Sequence, residues 1–177
     1  IKCWGVSRIL GIFNERCILS TLDLSFNGIS DDGVLAVTQF IHRAKSLHVL
    51  CLSGNNIGPD GFHCLGVALS DDNLLEELHL SGNNGRKEGA SSLAQALRAN
   101  RKLSKLFVGN CNFGEEGCRL LFCALSENST LETLNIGGND GGPTSMFSLS
   151  LSLNIKSTSL SSLDLSFNMI QGSGVQA

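Results

Sequence analysis

One spacing governs this sequence. The frame Leu, x, x, Leu, x, Leu/Val/Ile, x, x, Asn/Cys opens at Leu19, Leu47, Leu75, Leu103, Leu131 and Leu160, at intervals of 28, 28, 28, 28 and 29 residues. A fixed period of this length marks a solenoid, in which no unit can bury its own apolar face and each must stack on the next. The second and third apolar positions of the frame lie two residues apart, so in an extended strand they point the same way. The pairs Leu22/Leu24, Leu50/Leu52, Leu78/Leu80, Leu106/Val108, Leu134/Ile136 and Leu163/Leu165 therefore form an apolar column beneath a parallel sheet.

Eight residues after each opening leucine stand Asn27, Asn55, Asn83, Cys111, Asn139 and Asn168. A buried turn leaves backbone groups without ladder partners, and an amide side chain with both donors and acceptors can satisfy them in every repeat. Cysteine keeps the size and loses most of that bonding. Each turn leads to a helix, announced by Gly33, Gly61, Gly89, Gly117 and Gly174 and by apolar pairs four residues apart: Val37/Ile41, Leu65/Leu69, Leu93/Leu97, Leu121/Leu125 and Leu149/Leu153. Such pairs share one helical face, directed at the sheet. The row Asp32, Asp60, Glu88 and Glu116 suits helix first turns, where negative charge is favoured, and Pro59 and Pro143 suit helix starts. The expected fold is an α/β solenoid with a parallel sheet on the concave face and helices on the convex face.

Residues 1–177 read as a single array. Residues 1–18 have the phase of the end of a preceding repeat, with Gly5, Ile9 and Phe13 standing where Gly33, Val37 and Ile41 stand later. Only Val175, Gln176 and Ala177 follow Gly174, so the expectation is a fragment of a longer array. The fifth repeat is irregular. It carries Gly141 at an apolar site and Ser145 at the glycine site, and its run SMFSLSLSLNIKSTS alternates like a strand while its phase predicts a helix. The extra residue is placed near Ser157 to Ser159.

The chain is 42% hydrophobic with a net charge of -3, and charged residues make up only 16%. No apolar run of membrane-spanning length and no signal peptide occur, so a soluble protein without membrane insertion is expected. Seven cysteines, Cys3, Cys17, Cys51, Cys64, Cys111, Cys118 and Cys123, fall on different phases of the repeat without a metal-type pair. That scatter suits reduced thiols in the cytoplasm. Asn128-Ser129-Thr130 matches a glycosylation acceptor.

Outward strand positions line up across the sheet. The central row is Asp23, Cys51, His79, Phe107, Asn135 and Asp164, and beside it run Thr21, Val49, Glu77, Lys105, Thr133 and Ser162. Cys51 and His79 would be neighbours, but the carboxylate of Asp23 would lie beyond the cysteine, where it cannot orient the histidine. A zinc site needs about three protein ligands, and Glu77 could join Cys51 and His79 only by turning sideways. No catalytic, metal or cofactor site is expected. Nucleic acid requires a basic stripe, and these rows lean slightly acidic.

The 28-residue frame with its glycine-led helix resembles the ribonuclease-inhibitor-like class of leucine-rich repeats, over essentially the whole chain. The resemblance implies a horseshoe and protein binding. The class includes the nuclease inhibitor, the arrays of NOD-like receptors, Ran GTPase-activating proteins and repeat proteins of cilia and the cytoskeleton. This face is less acidic and aromatic than a nuclease inhibitor's, and no acidic tail of the Ran-activating kind is present. The leading expectation is a non-enzymatic protein-binding module using Asp23, Glu77, His79, Lys105, Phe107, Asn135 and Asp164 on the concave face, with Phe26 and Phe167 at the rim. The alternatives are a structural subunit or scaffold of a large assembly with several partners, in the cytoskeleton or cilium, and a GTPase-regulating or sensor-type repeat domain.

Overall fold

The computed structural model describes residues 3–13, 17–71, 73–154 and 158–170. Helices and strands alternate: α1 (Cys3–Ile12), β1 (Thr21–Asp23), α2 (Asp31–Arg43), β2 (Val49–Cys51), α3 (Pro59–Ser70), β3 (Glu77–His79), α4 (Arg86–Ala99), β4 (Lys105–Phe107), α5 (Gly114–Leu125), β5 (Thr133–Asn135), α6 (Pro143–Leu153) and β6 (Ser162–Asp164). The strands form one parallel sheet in sequence order, β1 to β6. Register follows the repeat: Leu22 pairs with Leu50, Leu50 with Leu78, Leu78 with Leu106, Leu106 with Leu134 and Leu134 with Leu163. From Leu50 to Leu134 these central leucines are fully buried, because each is covered by a strand on either side. The fold is a leucine-rich repeat solenoid.

The asparagine ladder is made as expected. In Asn83, the amide Nδ2 donates to Leu52 O at 3.0 Å and Leu80 O at 2.7 Å, while its Oδ1 accepts Ile57 N–H at 3.1 Å. Asn55, Asn139 and Asn168 repeat the pattern between their own neighbours. Cys111 retains a reduced version, its thiol directed at Leu80 O at 3.3 Å and Gly109 O at 3.6 Å. Where the cysteine stands, the preceding turn closes differently: Arg86 N–H donates to Cys111 O, and Arg86 sits in the left-handed region at φ 53.

A second ladder lies at the other end of the helices. Asn100 Nδ2 donates to Leu69 O at 2.6 Å and its Oδ1 accepts Leu103 N–H at 2.7 Å; Asn128 does the same with Leu97 O and Leu131 N–H. Asn73 caps its own repeat through Ala68 O and Leu75 N–H. Asn128 is only 2% exposed with both ends of its amide engaged, so the glycosylation match there is a structural asparagine.

Helix starts are tied across repeats. Asp31 Oδ1 accepts Gly58 N–H at 2.6 Å and Glu115 Oε1 accepts Thr144 N–H at 2.7 Å, placing carboxylates at the positive ends of the next helices. Gly85 stands where Ile29, Ile57 and Phe113 stand in other repeats, and packing accounts for the missing side chain: Phe62 and Phe113 meet edge to face at 5.8 Å, and a Cβ on Gly85 would lie 2.8 Å from Phe113 and 2.9 Å from Phe62.

The fifth repeat forms α6, as phase rather than alternation requires. Its burial departs from expectation: Leu149 is buried, but Leu153 is 42% exposed, and Ser152 is buried instead, donating to Phe122 O at 2.7 Å. Ile9 of α1 is likewise exposed, and Val6 and Leu10 take the inward positions there. The helix-start glycine Gly174 and residues 175–177 lie outside the described residues, as does Ser157 at the expected insertion.

Candidate protein-binding face

Alternation along three-residue strands sends each central leucine inward and leaves the residues on either side on the concave face. On β3 and β4 these outward residues are joined. Glu77 turns sideways along the sheet: its Oε1 accepts from His79 Nε2 at 2.7 Å, and its Oε2 accepts from Lys105 Nζ at 2.9 Å. The His79 ring stacks on Phe107, centroids 4.2 Å apart and planes 7° from parallel. Phe107, expected to stand exposed, is therefore half-buried, because an imidazole from the adjoining strand covers it. The Lys105 ammonium holds the Glu77 carboxyl below the usual glutamate range, and His79 adds to the effect.

Toward β6, Asn135 Nδ2 donates to Asp164 Oδ2 at 2.6 Å. Asp164 also accepts Ser166 N–H at 2.9 Å, and Asp23 accepts Ser25 N–H at the same distance. These backbone donors lower the pKa of both aspartates, so both are ionised over a wide pH range.

The Cys51 and His79 backbones pair in register as expected. Burial first, and then Asp23 and Glu77, raise the Cys51 thiol pKa, which opposes thiolate formation. The His79 ring is turned to Glu77 and Phe107. Among the described residues, no group of three or more metal-ligating side chains converges.

The rim residues sit at one turn position that has positive φ in every repeat: Phe26, Gly54, Gly82, Asn110, Gly138 and Phe167, with φ between 53 and 72. Glycine adopts this conformation freely, whereas a side chain there costs roughly 1–2 kcal/mol. Phe26 and Phe167 are nevertheless 82% and 91% exposed. The Phe26 ring lies over Gly54, where any Cβ would collide with it. Sequence reasoning located both phenylalanines but not their strain; the glycines at matching positions carried that signal.

Glu76 and Glu132, the residues immediately before β3 and β5, were missed as neighbours of this face. Both are exposed and both act electrostatically on Lys105. The second residue of the frame was the place to find them.

The family pattern described as Leucine Rich repeat matches residues 17–37, 43–66, 72–94, 127–150 and 156–177, more than half of the chain. The chain belongs to the leucine-rich repeat family. The unmatched stretch contains the repeat in which Cys111 replaces the ladder asparagine. Among solved structures, actin-binding site 2 of leiomodin-1 is similar at 14% identity and a TM-score of 0.67, over 85% of this chain and 86% of that one. An internalin from Listeria monocytogenes is similar at 19% identity and a TM-score of 0.60, over 95% of this chain and 46% of the internalin. At these identities the likeness is one of fold. No curated protein sequence is a match. Among the described residues, no helix is long and apolar enough to cross a membrane.

Proposed function

We propose that residues 1–177 act as a single non-catalytic protein-binding array whose concave face receives the partner. Leucine-rich repeat domains generally mediate protein–protein interaction, and the observation that carries this reading is the joined set Glu77, His79, Lys105 and Phe107. Four outward side chains on β3 and β4 are held in one geometry by contacts among themselves. A surface already ordered before binding loses less side-chain freedom when a partner arrives. Asp23, Asn135 and Asp164 extend it to both edges of the sheet, and the strained, exposed Phe26 and Phe167 supply apolar contacts at the rim.

The 28-residue period and the full helix between successive strands support the ribonuclease-inhibitor-like class within the family. Six cysteines free among the described residues, two of them buried with thiol pKa values pushed up to about 12, support residence in a reducing cytoplasm.

The test is to select peptide ligands from a random library on the folded chain and to measure their affinity for Phe107→Ala and His79→Ala. Weaker binding in both supports the concave face, and unchanged binding in both moves the contact to the helices.

A second reading, as a subunit held in a larger cytoskeletal assembly, is favoured by Phe147 and Leu151. These lie four apart on the outer side of α6 and are 56% and 54% exposed. Because the actin-binding site 2 of leiomodin-1 has a fold of this kind, actin is the first cytoskeletal partner to test, by co-sedimentation with filaments.

A further inference from the structure

We infer that the segment received by the concave face is a lysine- and arginine-rich stretch of a partner protein, lying extended across the strands. The inference rests on the concave-face reading and specifies its ligand. Its basis is the distribution of charge. The two outward strand rows and the residues just before each strand, of which Glu76 and Glu132 are exposed and act on Lys105, hold Asp23, Glu76, Glu77, Glu132 and Asp164 against Lys105 alone. The chain has 16 acidic and 13 basic residues, so everything outside these rows is left with eleven acidic and twelve basic. The net charge of -3 is thus carried by the concave face, and the remainder of the chain is close to balanced.

Ion pairs leave the negative charge of these rows in place. Lys105 is bound to Glu77, which removes the only cation from the face. Among the described residues, Asp23, Glu76, Glu132 and Asp164 meet no cationic side chain within ion-pair distance. Elsewhere, Glu116 of α5 pairs with Arg119 at 2.8 Å and Glu127, in the turn after α5, pairs with Arg98 at 2.9 Å. Four carboxylates without a cationic partner, spread from β1 to β6, leave the face negatively charged, and a cationic segment gains complementary contacts there.

The dimensions suit an extended chain. Six strands spaced by about 4.8 Å give a span of roughly 24 Å, which about seven residues in extended conformation cross. The aromatic pair of His79 and Phe107 lies mid-sheet between the acidic edges, where a guanidinium can stack on a ring as well as face a carboxylate.

The direct test uses a labelled peptide of alternating arginine and serine, read by fluorescence anisotropy against the folded chain. The double variant Glu76→Gln/Glu132→Gln is compared with Glu88→Gln on the exposed side of α4. Both substitutions of the double variant are at exposed sites outside the core, and melting curves of each variant check the fold. The expected result is binding that weakens with added salt and falls about tenfold in the double variant while Glu88→Gln stays near the parent. Equal binding by the double variant overturns the inference, as does comparable binding of a glutamate–serine peptide. The library selection separates the two levels of the argument. Selected peptides that need Phe107 and His79 but carry no excess of lysine and arginine overturn this inference and leave the concave-face reading standing. Selected peptides that bind equally without Phe107 and His79 overturn the reading itself.

Discussion

The inner and outer sides of the sheet differ sharply although they alternate along the same three-residue strands. On β3, Leu78 is fully buried, while Glu77 and His79 beside it are only partly covered and make their contacts with each other, Lys105 and Phe107. Inside, one residue type recurs because every repeat presents the same cavity. Outside, the central row runs Asp23, Cys51, His79, Phe107, Asn135, Asp164, changing residue type at every step. The fold therefore restricts one side of the strand and leaves the other free to vary.

Substitutions on the two sides of the strands test that contrast. The largest effect is expected for Leu78→Ala, which opens a cavity between two covering strands and should cost roughly 2–5 kcal/mol by denaturant unfolding. Asn83→Ala comes next at about 1–3 kcal/mol, because Leu52 O, Leu80 O and Ile57 N–H lose their partner where water does not reach. Phe26→Gly should act in the opposite direction on the two readouts. Relief of the left-handed conformation raises stability by up to about 1 kcal/mol, and loss of an exposed ring weakens binding. The smallest effect is that of Glu77→Gln, a partly exposed pair worth less than about 1 kcal/mol. Its sign with pH is fixed by the lowered carboxyl pKa: the contribution is fully present above the ordinary glutamate value and is lost as pH falls through the lower folded one. The stability difference between parent and Glu77→Gln should therefore close on acidification, and a gap that widens in acid would contradict the Lys105 pairing.

The period, the strands, their register and the asparagine ladder were legible because each follows from a fixed offset that the stacking enforces. The outward rows were legible as rows for the same reason. How their side chains turn was not. Glu77 could reach His79 only by turning sideways, and it does so because Lys105 on the next strand draws its other oxygen the same way. Phe107 looked exposed because coverage by His79 depends on a ring orientation that spacing does not encode. In α6 the four-residue spacing pointed Leu153 inward, yet Ser152 is the residue buried there, fixed by its bond to Phe122 O. The second ladder was visible in Asn100 and Asn128, 28 residues apart and each three before an opening leucine, but was hidden by the shorter step from Asn73.

The most direct test of the concave-face account is Phe107→Ala, with affinity for a library-selected peptide and melting temperature measured on the same preparation. The account predicts an affinity loss of about 2 kcal/mol, roughly thirtyfold, because a stacked aromatic at the centre of the face is removed, with the melting temperature nearly unchanged. Unchanged affinity, or a large fall in melting temperature that shows Phe107 to be part of the core, would contradict it.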